Sequence, residues 1–373
     1  MDFITRTLSE LARQAPALAA KRCFVGFDGF VDLIVTPVAT RTGPGEAFMP
    51  FAGIRQFGER IVAASGKSTN IELYARMEKL GGNGPIMANA FAAQGAAVTY
   101  VGALGKDRVH PVFADLAVKA TTVTLCEPGY TTAVEFPDGK LMLGRMQSLD
   151  ELTPATIRSV MGDERYSAAI AGADLVALIN WTMVPGMTAI FTDLLDRLLP
   201  NLPQSKPRQF FFDLCDPEKR ATADLLTALA LIGRFSAFGR VTLGMNLKEA
   251  QQVCVALGLP VPVAEPDSLK AACAAVRERL KLAVAVIHPK ESAACADESG
   301  TYWVPGPYMI DPLITTGAGD HFSAGFAAAQ VTGLTPEACL TAGVCTSGYY
   351  VRTAKSPTVQ DLQTFLANWP TAT

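Results

Sequence analysis

Short apolar runs alternate along this chain with longer segments in which apolar residues recur at helical spacing. Such short runs are typical of strands that are buried on both faces of a sheet. The predicted strands are residues 22–27, 98–101, 175–180, 209–214 and 282–288. The predicted helices are residues 86–94, 188–199, 221–231, 247–257, 268–280, 317–330, 336–350 and 359–369. This alternation predicts an α/β fold with a mostly parallel central sheet, helices over it, and ligands at the carboxyl ends of the strands.

The N-terminal part of the chain has a different pattern. Residues 1–20 predict an amphipathic helix, and residues 31–35 continue a strand pattern. Residues 40–76 are rich in Gly, Pro and polar side chains, which is typical of an insertion or a flap over a site. One helix is predicted near its end, at residues 71–80.

A β-hairpin is predicted in the second quarter of the chain. Residues 131–136 and 140–143 have strand composition, and Pro137-Asp138-Gly139 lies between them. An Asp-Gly pair between two strand patterns is a strong hairpin signal. The hairpin therefore stands apart from the strand–helix alternation around it.

Composition narrows the classes of protein. Hydrophobic residues make up 49% of the 373 residues, which excludes a disordered chain. The formal net charge is −3 without a block of like charge, so no nucleic-acid partner is expected. The eight scattered cysteines contain no Cys-x-x-Cys pair and predict a reducing compartment, and three histidines give a histidine-based metal site little to build on. No signal peptide or membrane-spanning run is recognised, so a cytoplasmic location without a membrane partner is expected.

The most informative local pattern is Thr315-Thr316-Gly317-Ala318-Gly319-Asp320, which runs directly into an alanine-rich helical segment. Glycines let consecutive N–H groups converge on one point, and a helix N-terminus adds partial positive charge there. An anion held at that point would lie within reach of Asp320, a candidate base for a substrate hydroxyl. Taken alone, the same pattern also fits a glycine-rich turn that caps a core helix.

Three further patterns each have a structural and a functional interpretation. Asp28 and Asp32 follow the first predicted strand, either as turn formers or as binding residues. Asn246 and Glu249 open a helix, either as a capping box or as site residues. Gly81-Gly82-Asn83-Gly84 opens another helix, either as an entry turn or as backbone that approaches a ligand closely.

In their order along the chain, from Asp28 and Asp32 to the motif that ends in Asp320, the four patterns resemble the ribokinase-like family of carbohydrate kinases, also called the PfkB family. The resemblance runs from about residue 22 to residue 366, and residues 81–107 and 315–326 carry it most specifically. The stretch Asp213-Leu214-Cys215-Asp216-Pro217-Glu218-Lys219-Arg220 is similar to an Asp-Pro-Asn-x-Arg motif of the family. The resemblance strengthens the functional interpretation of each pattern.

The resemblance implies one ribokinase-like kinase domain over residues 1–373, with helices on both faces of the sheet and a small β lid. The lid elements would lie at about residues 28–40 and 121–146, and an insertion would lie at about residues 40–76. The lid is expected to cover a sugar, which excludes water, and a homodimer through the lid is a further expectation.

The resemblance also implies roles for individual residues. Asp320 would be the general base, and the residues Gly317, Ala318 and Gly319 would form with it the anion hole that stabilises the transferring phosphoryl group. Asp32, with Asp28 as a second candidate, would bind sugar hydroxyls. The backbone of Gly81, Gly82 and Asn83 would close over the same sugar. Asn246 and Glu249 would help to hold Mg²⁺ and phosphate.

The chain departs from the family in its nucleotide loop. The family's Thr-x-Gly-x-x-Gly loop should follow the strand that ends near Val286, but Pro289 and Ser292 stand where the glycines belong. Lys290 in this loop is a candidate phosphate contact. The chain would therefore hold ATP differently, or prefer an unusual donor.

Two other departures concern a cation and a sugar contact. Ile314 stands where the family commonly has an aspartate that helps to bind a monovalent cation, and Asp311 is displaced, which argues against activation by potassium. Ile86 stands where an asparagine usually follows the double glycine, with Asn83 and Asn89 as candidate replacements. These changes predict a divergent member of the family.

Together, these patterns predict an ATP- and Mg²⁺-dependent kinase that phosphorylates a hydroxyl of a sugar or a sugar-like alcohol. Two alternatives remain open from the sequence. One keeps the chemistry but takes a nucleoside as the acceptor. The other is a sugar- or nucleotide-binding protein that has lost catalysis, which the altered loop at residues 287–292 would favour and the intact Asp320 would not.

Overall fold

The computed structural model describes residues 3–203 and 208–370. The strands in these ranges are β1 (Arg22–Phe27), β2 (Phe30–Arg41), β3 (Phe48–Pro50), β4 (Glu72–Gly81), β5 (Ala97–Gly102), β6 (Thr121–Thr124), β7 (Gly129–Phe136), β8 (Gly139–Arg145), β9 (Leu175–Ile179), β10 (Gln209–Asp213), β11 (Arg240–Met245), β12 (Val284–Ile287), β13 (Ser292–Asp297) and β14 (Gly300–Pro305). The α-helices are α1 (Phe3–Leu18), α2 (Ile54–Val62), α3 (Asn83–Ala93), α4 (Ala114–Lys119), α5 (Pro154–Met161), α6 (Asp163–Gly172), α7 (Met187–Asp193), α8 (Thr222–Arg234), α9 (Leu247–Leu257), α10 (Pro266–Leu280), α11 (Ala318–Val331), α12 (Pro336–Thr353) and α13 (Val359–Ala367).

The larger sheet has nine strands in the order β14-β13-β12-β11-β10-β9-β1-β5-β6. The strands from β12 to β6 pair in parallel, whereas β13 and β14 add an antiparallel edge. Helices cover both faces, as predicted. Along β10, Phe210 and Phe212 face one apolar core and Phe211 faces the other, which is why the central strands read as continuous apolar runs.

The second sheet is the lid. It has five strands, in which β2 pairs with β3 and β4 antiparallel and with β7 in parallel, and β7 pairs with β8 as a hairpin. The predicted hairpin is therefore present, with its turn at Pro137 and Asp138. Residues 121–124, which the sequence assigned to the lid, form β6 of the larger sheet instead, because they pair in parallel with β5.

The helix predicted at residues 71–80 was wrong. That segment is strand β4, and the helix of this region is α2, which lies before it. The composition of residues 72–81 (Glu, Leu, Ala, Arg, Met, Glu, Lys) favours a helix, but helix propensity is a weak prior. Nine residue pairs with β2 outweigh it. Helix α2 packs on the lid, where Phe57 contacts Phe51 and Phe136 edge-on with ring centroids 5.3 and 5.2 Å apart.

Most other predicted elements are present within a few residues of their expected ends. The amphipathic N-terminal helix is α1, and β1 and α9 have the predicted bounds. The antiparallel hairpin of β13 and β14 was not predicted, although residues 301–304 of β14 have strand composition; the small residues of β13 give no strong pattern. All eight cysteines are free. Within the described ranges, no helix combines the length and the apolar character that a membrane span requires.

Candidate active site

The carboxyl ends of the parallel strands bring together polar residues that lie far apart in the sequence. Asp28 follows β1, Asn180 follows β9, Asp213 ends β10, and Asn246 follows β11. The N-terminus of α11, with Asp320 in its first turn, faces the same edge of the sheet. This is the edge at which parallel α/β sheets bind ligands.

The start of α11 forms an open cradle of amides. Gly317 is its N-cap with φ of 94°, a left-handed conformation that favours glycine. The amide of Ala318 donates to the carbonyl oxygen of Thr315 at 3.2 Å, so it is already used. In the described part of the chain, no hydrogen bond uses the amides of Gly319 and Asp320. These two amides at a helix N-terminus can therefore receive an anion.

Two side chains behind the cradle fix its backbone. The hydroxyl of Tyr350 donates to the carbonyl oxygen of Thr316 at 2.9 Å, and Nδ1 of His321 lies 2.7 Å from the carbonyl oxygen of Gly317. The His321 and Tyr350 rings stack with centroids 3.7 Å apart. Burial lowers the pKa of His321 to about 4, so the ring is neutral and donates from Nδ1. The sequence did not single out these two residues as part of the site.

Asp320 is a buried carboxyl group at the mouth of the cradle. Its side chain is 6% exposed, and Oδ1 accepts a hydrogen bond of 2.8 Å from Nδ2 of Asn83. Burial raises the pKa of Asp320 to about 7, and the nearby charges of Asp28, Glu249 and Asp32 act in the same direction. The hydrogen bond from Asn83 opposes them. A carboxylate with a pKa near neutrality can accept a proton from a hydroxyl group.

Asp28 holds the turn that presents Asn83. Its side chain is fully buried, and its two carboxylate oxygens accept from the backbone amides of Asn83 and Gly84 at 2.9 and 2.8 Å. Nδ2 of Asn180 donates to it at 2.7 Å, and the hydroxyl of Tyr100 lies 3.5 Å from it. Burial raises the pKa of Asp28 to about 6, although these hydrogen bonds favour the charged form. The second candidate for binding a sugar thus already accepts hydrogen bonds from the protein itself.

Asp32 lies on the lid strand β2 and faces the cleft. It is 5% exposed and opposes Lys79 on β4 and Thr131 on β7. Burial raises the pKa of Asp32, while the charge of Lys79 and the hydrogen bond with Thr131 oppose that shift. A Cβ atom at Gly81 would come within 2.4 Å of the Asp32 carboxyl carbon, so the first glycine makes room for this side chain. Gly82 has φ of 89° and starts the turn into α3.

One departure from the family, Ile86, lies next to these glycines. Ile86 is buried in α3, and a Cβ atom at Gly317 would meet it at 3.2 Å. Asn89 lies away from Asp320, since its Nδ2 donates to the hydroxyl of Ser356 at 3.2 Å. Asn83, by contrast, contacts Asp320. Of the two candidate replacements, the structure brings Asn83 to the site.

A cavity of about 350 Å³ opens on the other side of the cradle. Its walls are mostly apolar with a few polar side chains, as is typical of pockets for small molecules. The lining residues are Asn246, His288, Pro289, Lys290, Gly306, Pro307, Tyr308, Met309, Ile310, Pro312, Thr315, Ala318, Gly319, Phe322, Val344, Ser347, Gly348 and Val351. Lys290, the predicted phosphate contact, is an exposed residue of this lining. The altered loop thus borders the cavity.

Asn246 and Glu249 form a complete capping box at the start of α9. The Asn246 side chain accepts from the Glu249 amide at 3.0 Å, and Glu249 accepts from the Asn246 amide at 2.8 Å and from the Asp216 amide at 3.1 Å. Burial raises the pKa values of Glu249 and Asp213. Among the described residues, no group of three or more His, Cys, Asp or Glu side chains could hold a metal ion. The capping box that the sequence offered as the structural interpretation of these two residues is confirmed, and their role in binding metal or phosphate stays a prediction.

Several residues of the site were not identified from the sequence. Lys79 and Lys140 on the lid were missed because only strand register brings them to Asp32 and Thr316. Asn180 could have been found, since it is the polar residue directly after a buried parallel strand. Tyr350 had no local signal. Its partner, the carbonyl of Thr316, precedes it by 34 residues.

Known proteins share both the sequence pattern and the fold. A model of the prokaryotic ketohexokinase family matches residues 2–369. A ketohexokinase from Haloferax volcanii is 30% identical over 350 residues, which cover 93% of this chain and 91% of that protein. Phosphofructokinase-2 from Escherichia coli, in complex with substrates and products, superposes with a TM-score of 0.65 at 16% identity over 94% of this chain and 99% of that one. Ribokinase from Arabidopsis thaliana, complexed with ribose and ATP, gives a TM-score of 0.61 at 16% identity over 93% and 98%. These structural likenesses confirm the ribokinase-like fold.

Proposed function

The chain belongs to the prokaryotic ketohexokinase family, and on that premise we propose that it transfers the terminal phosphate of ATP to a hydroxyl group of a ketohexose. One observation carries this proposal. Asp320, a buried carboxyl with a pKa of about 7, lies between free amides of a helix N-terminus and the turn that presents Asn83. A base and an anion cradle at one point are what transfer of a phosphoryl group to an alcohol requires.

Asp320 would act as the general base. It would accept the proton of the sugar hydroxyl as the oxygen bonds to the terminal phosphorus, while the bond from that phosphorus to ADP breaks and ADP keeps the electron pair. The amides of Gly319 and Asp320, at a turn set by Gly317, would stabilise the negative charge on the phosphoryl oxygens. The amide of Ala318 would contribute less than the sequence suggested, because it already donates to Thr315.

The sugar would lie between the lid and the turn at the start of α3. Asp32 offers carboxylate oxygens to paired hydroxyls, and the backbone of Gly81, Gly82 and Asn83 lies beside it. Asp28 would act as a positioning residue, since its carboxylate accepts from the amides of Asn83 and Gly84. We therefore assign direct contact with the sugar to Asp32 and an indirect role to Asp28.

The nucleotide would occupy the 350 Å³ cavity, with its phosphates directed towards Gly319. Lys290 on the rim remains the candidate phosphate contact of the altered loop, and Asn246 lines the same cavity. When bound, Mg²⁺ would neutralise charge on the phosphates. Because the described residues contain no metal cluster, the ion would be held mainly by phosphate oxygens and water, with Asn246 and Glu249 near them.

Two features remain proposals about the molecule as a whole. The lid exposes apolar side chains, among them Met77, Met142 and Leu143, which is consistent with a homodimer through the lid. Light scattering coupled to size exclusion would give the mass of the particle, and a monomer at all concentrations would contradict the dimer. The single-domain organisation and the cytoplasmic location stay predictions.

The decisive experiment compares acceptors. The purified protein would be incubated with Mg²⁺ and ATP and with ketohexoses, aldohexoses or nucleosides, and ADP release and product mass would be measured. We expect ADP release and a mass gain of one phosphate with a ketohexose. Release with a nucleoside alone would support the nucleoside-kinase alternative. Thermal stabilisation by sugars without ADP release would support the binding protein that has lost catalysis.

A further inference from the structure

The lid presents two lysines on one face, above the anion cradle. Lys79 lies opposite Asp32, which lies opposite Thr131, so these three side chains point to the same side of the lid sheet. Lys140 lies opposite Glu135, four residues beyond Thr131 on β7. Since side chains alternate along a strand, Lys140 is on that side as well.

Lys140 reaches from the lid to the catalytic loop. Its ammonium group donates to the hydroxyl of Thr316, the residue directly before the N-cap Gly317. An exposed lysine thus reaches from the lid to the loop that leads into the helix with the amides of Gly319 and Asp320. The contact joins residues 176 positions apart, and it ties the lid hairpin to the anion cradle.

Neither lysine has an anionic partner at ion-pair distance within the described ranges. Lys79 is half-buried, and burial lowers its pKa. The charge of Lys140 acts in the same direction, while Asp32, Glu135 and Asp320 oppose it. Two ammonium groups that repel one another beside an amide cradle are an arrangement that a doubly charged phosphate would stabilise.

We propose that Lys140 is a ligand of the terminal phosphate of the nucleoside triphosphate, and that it exchanges its bond to Thr316 for that phosphate when the nucleotide binds. The lid would then bind the triphosphate more tightly than the diphosphate, because only the third phosphate would reach the cradle. The inference rests on the proposed function. It adds a contact that makes the closed lid selective for the triphosphate over the diphosphate.

The alternative is that Lys140 only latches the lid to the core. Affinity for a non-hydrolysable β,γ-imido analogue of ATP and for ADP, measured by calorimetry with Mg²⁺ present, separates the two ideas. Lys140→Met should weaken binding of the triphosphate analogue by about 10-fold or more, as expected for loss of a charge-assisted hydrogen bond, and should change ADP affinity by less than about 2-fold. Lys140→Arg keeps the positive charge, so it should retain most of the wild-type preference for the triphosphate analogue over ADP.

The chain supplies two matched controls. Arg145 is on the same strand as Lys140 but on the opposite face, where its guanidinium stacks on Tyr130 at 4.6 Å, so Arg145→Gln should leave both affinities unchanged. Thr316→Val removes the partner of Lys140 but keeps the lysine, so it should preserve selectivity for the triphosphate. If Thr316→Val loses that selectivity as Lys140→Met does, the latch is correct and the proposal is wrong.

Other outcomes separate this inference from the function on which it rests. Equal weakening of both nucleotides in Lys140→Met, or no weakening of either, would overturn the role of Lys140 while sugar phosphorylation by the wild type stands. A wild-type protein that binds neither nucleotide would overturn both proposals. Selective loss of the triphosphate in Lys140→Met, with Arg145→Gln unchanged, would support the inference.

Discussion

Nδ2 of Asn83 donates a hydrogen bond of 2.8 Å to Oδ1 of Asp320, across 237 residues of sequence. The bond joins the turn that starts α3 to the helix whose N-terminus forms the anion cradle. It also stabilises the charged form of Asp320 and so opposes the rise in pKa that burial causes. Asn83 is therefore placed to set both the position and the basicity of the proposed catalytic carboxylate.

The pH dependence of the reaction should report the titration of Asp320. A general base acts in its deprotonated form, and the pKa of Asp320 is raised to about 7. We expect kcat/KM to fall as the pH decreases through about 7, with a slope of one proton. Initial rates with the best ketohexose between pH 5 and 9 would test this. A flat profile down to pH 5 would contradict the assignment of the base.

Asn83→Ala should move that profile. Without the hydrogen bond, the charged form of Asp320 is less stable, so its pKa rises and the acid limb shifts to higher pH. At pH 9 the variant should recover part of the activity that it lacks at pH 7. A uniform loss at every pH would mean that Asn83 acts only by position, and Asn89→Ala, at an asparagine of the same helix that bonds Ser356, is the matched control.

Asp320→Asn should separate activity from stability. Loss of the base should lower turnover on the order of 10²–10⁴-fold while sugar binding persists. The free energy of unfolding should rise at pH 8, on the order of 4 kcal/mol, because a buried charge is removed. The folded-state pKa is above the unfolded one, so the wild type loses stability as the pH rises towards 7, and the difference should shrink at pH 5. Denaturant titrations at both pH values would measure it, and equal differences would contradict burial of the charge.

Asp28→Asn tests whether Asp28 positions the turn or binds the sugar. An amide nitrogen in place of one oxygen would face an N–H donor, so the free energy of unfolding should fall by about 1–3 kcal/mol. We expect kcat to fall, because Asn83 is displaced, while the sugar Kd changes little. Asp32→Ala should instead raise the sugar Kd and abolish thermal stabilisation by the sugar. Similar losses of sugar affinity in both variants would show that Asp28 contacts the substrate directly.

Gly325 lies at the contact between α11 and α12, behind the anion cradle. A Cβ atom there would meet Oγ1 of Thr346 at 2.2 Å and the carbonyl oxygen of Ala342 at 2.7 Å. Gly325→Ala should therefore lower the free energy of unfolding by about 1–3 kcal/mol. Gly58 in α2 has open space around the same position, so Gly58→Ala should raise stability by about 0.5–1 kcal/mol. Thermal unfolding of both variants measures the contrast, and equal effects would argue against close packing at Gly325.

Most of what the sequence predicted correctly came from patterns of neighbouring residues. The family, the α/β fold and the start of α11 follow from patterns that each lie within a few residues, such as Gly317 to Asp320. Strands that are buried on both faces are easy to recognise in the sequence, because they form continuous apolar runs. The family match and the structural neighbours confirm the kinase family and the fold.

The features that the sequence did not predict depend on contacts between segments that lie far apart in the chain. Strand β4 has a helical composition and becomes a strand only because β2 offers it an edge. Asp28 was the second candidate for a sugar ligand, and the sequence could not show that its carboxylate accepts hydrogen bonds from the amides of Asn83 and Gly84. Lys140 is an ordinary surface lysine until the register of β8 brings it to Thr316.

The position of the cradle in the chain has a consequence for synthesis of the protein. The residues around the proposed sugar position, from Asp28 to Asn180, precede the base and the amides, which arrive with α11, and Tyr350 on α12 fixes their loop. A nascent chain that lacks α11 and α12 would contain the sequence of the lid strands but neither the proposed base nor its amides. A growing chain that stops before α11 would therefore lack both the proposed base and its amides, so that it should consume no ATP.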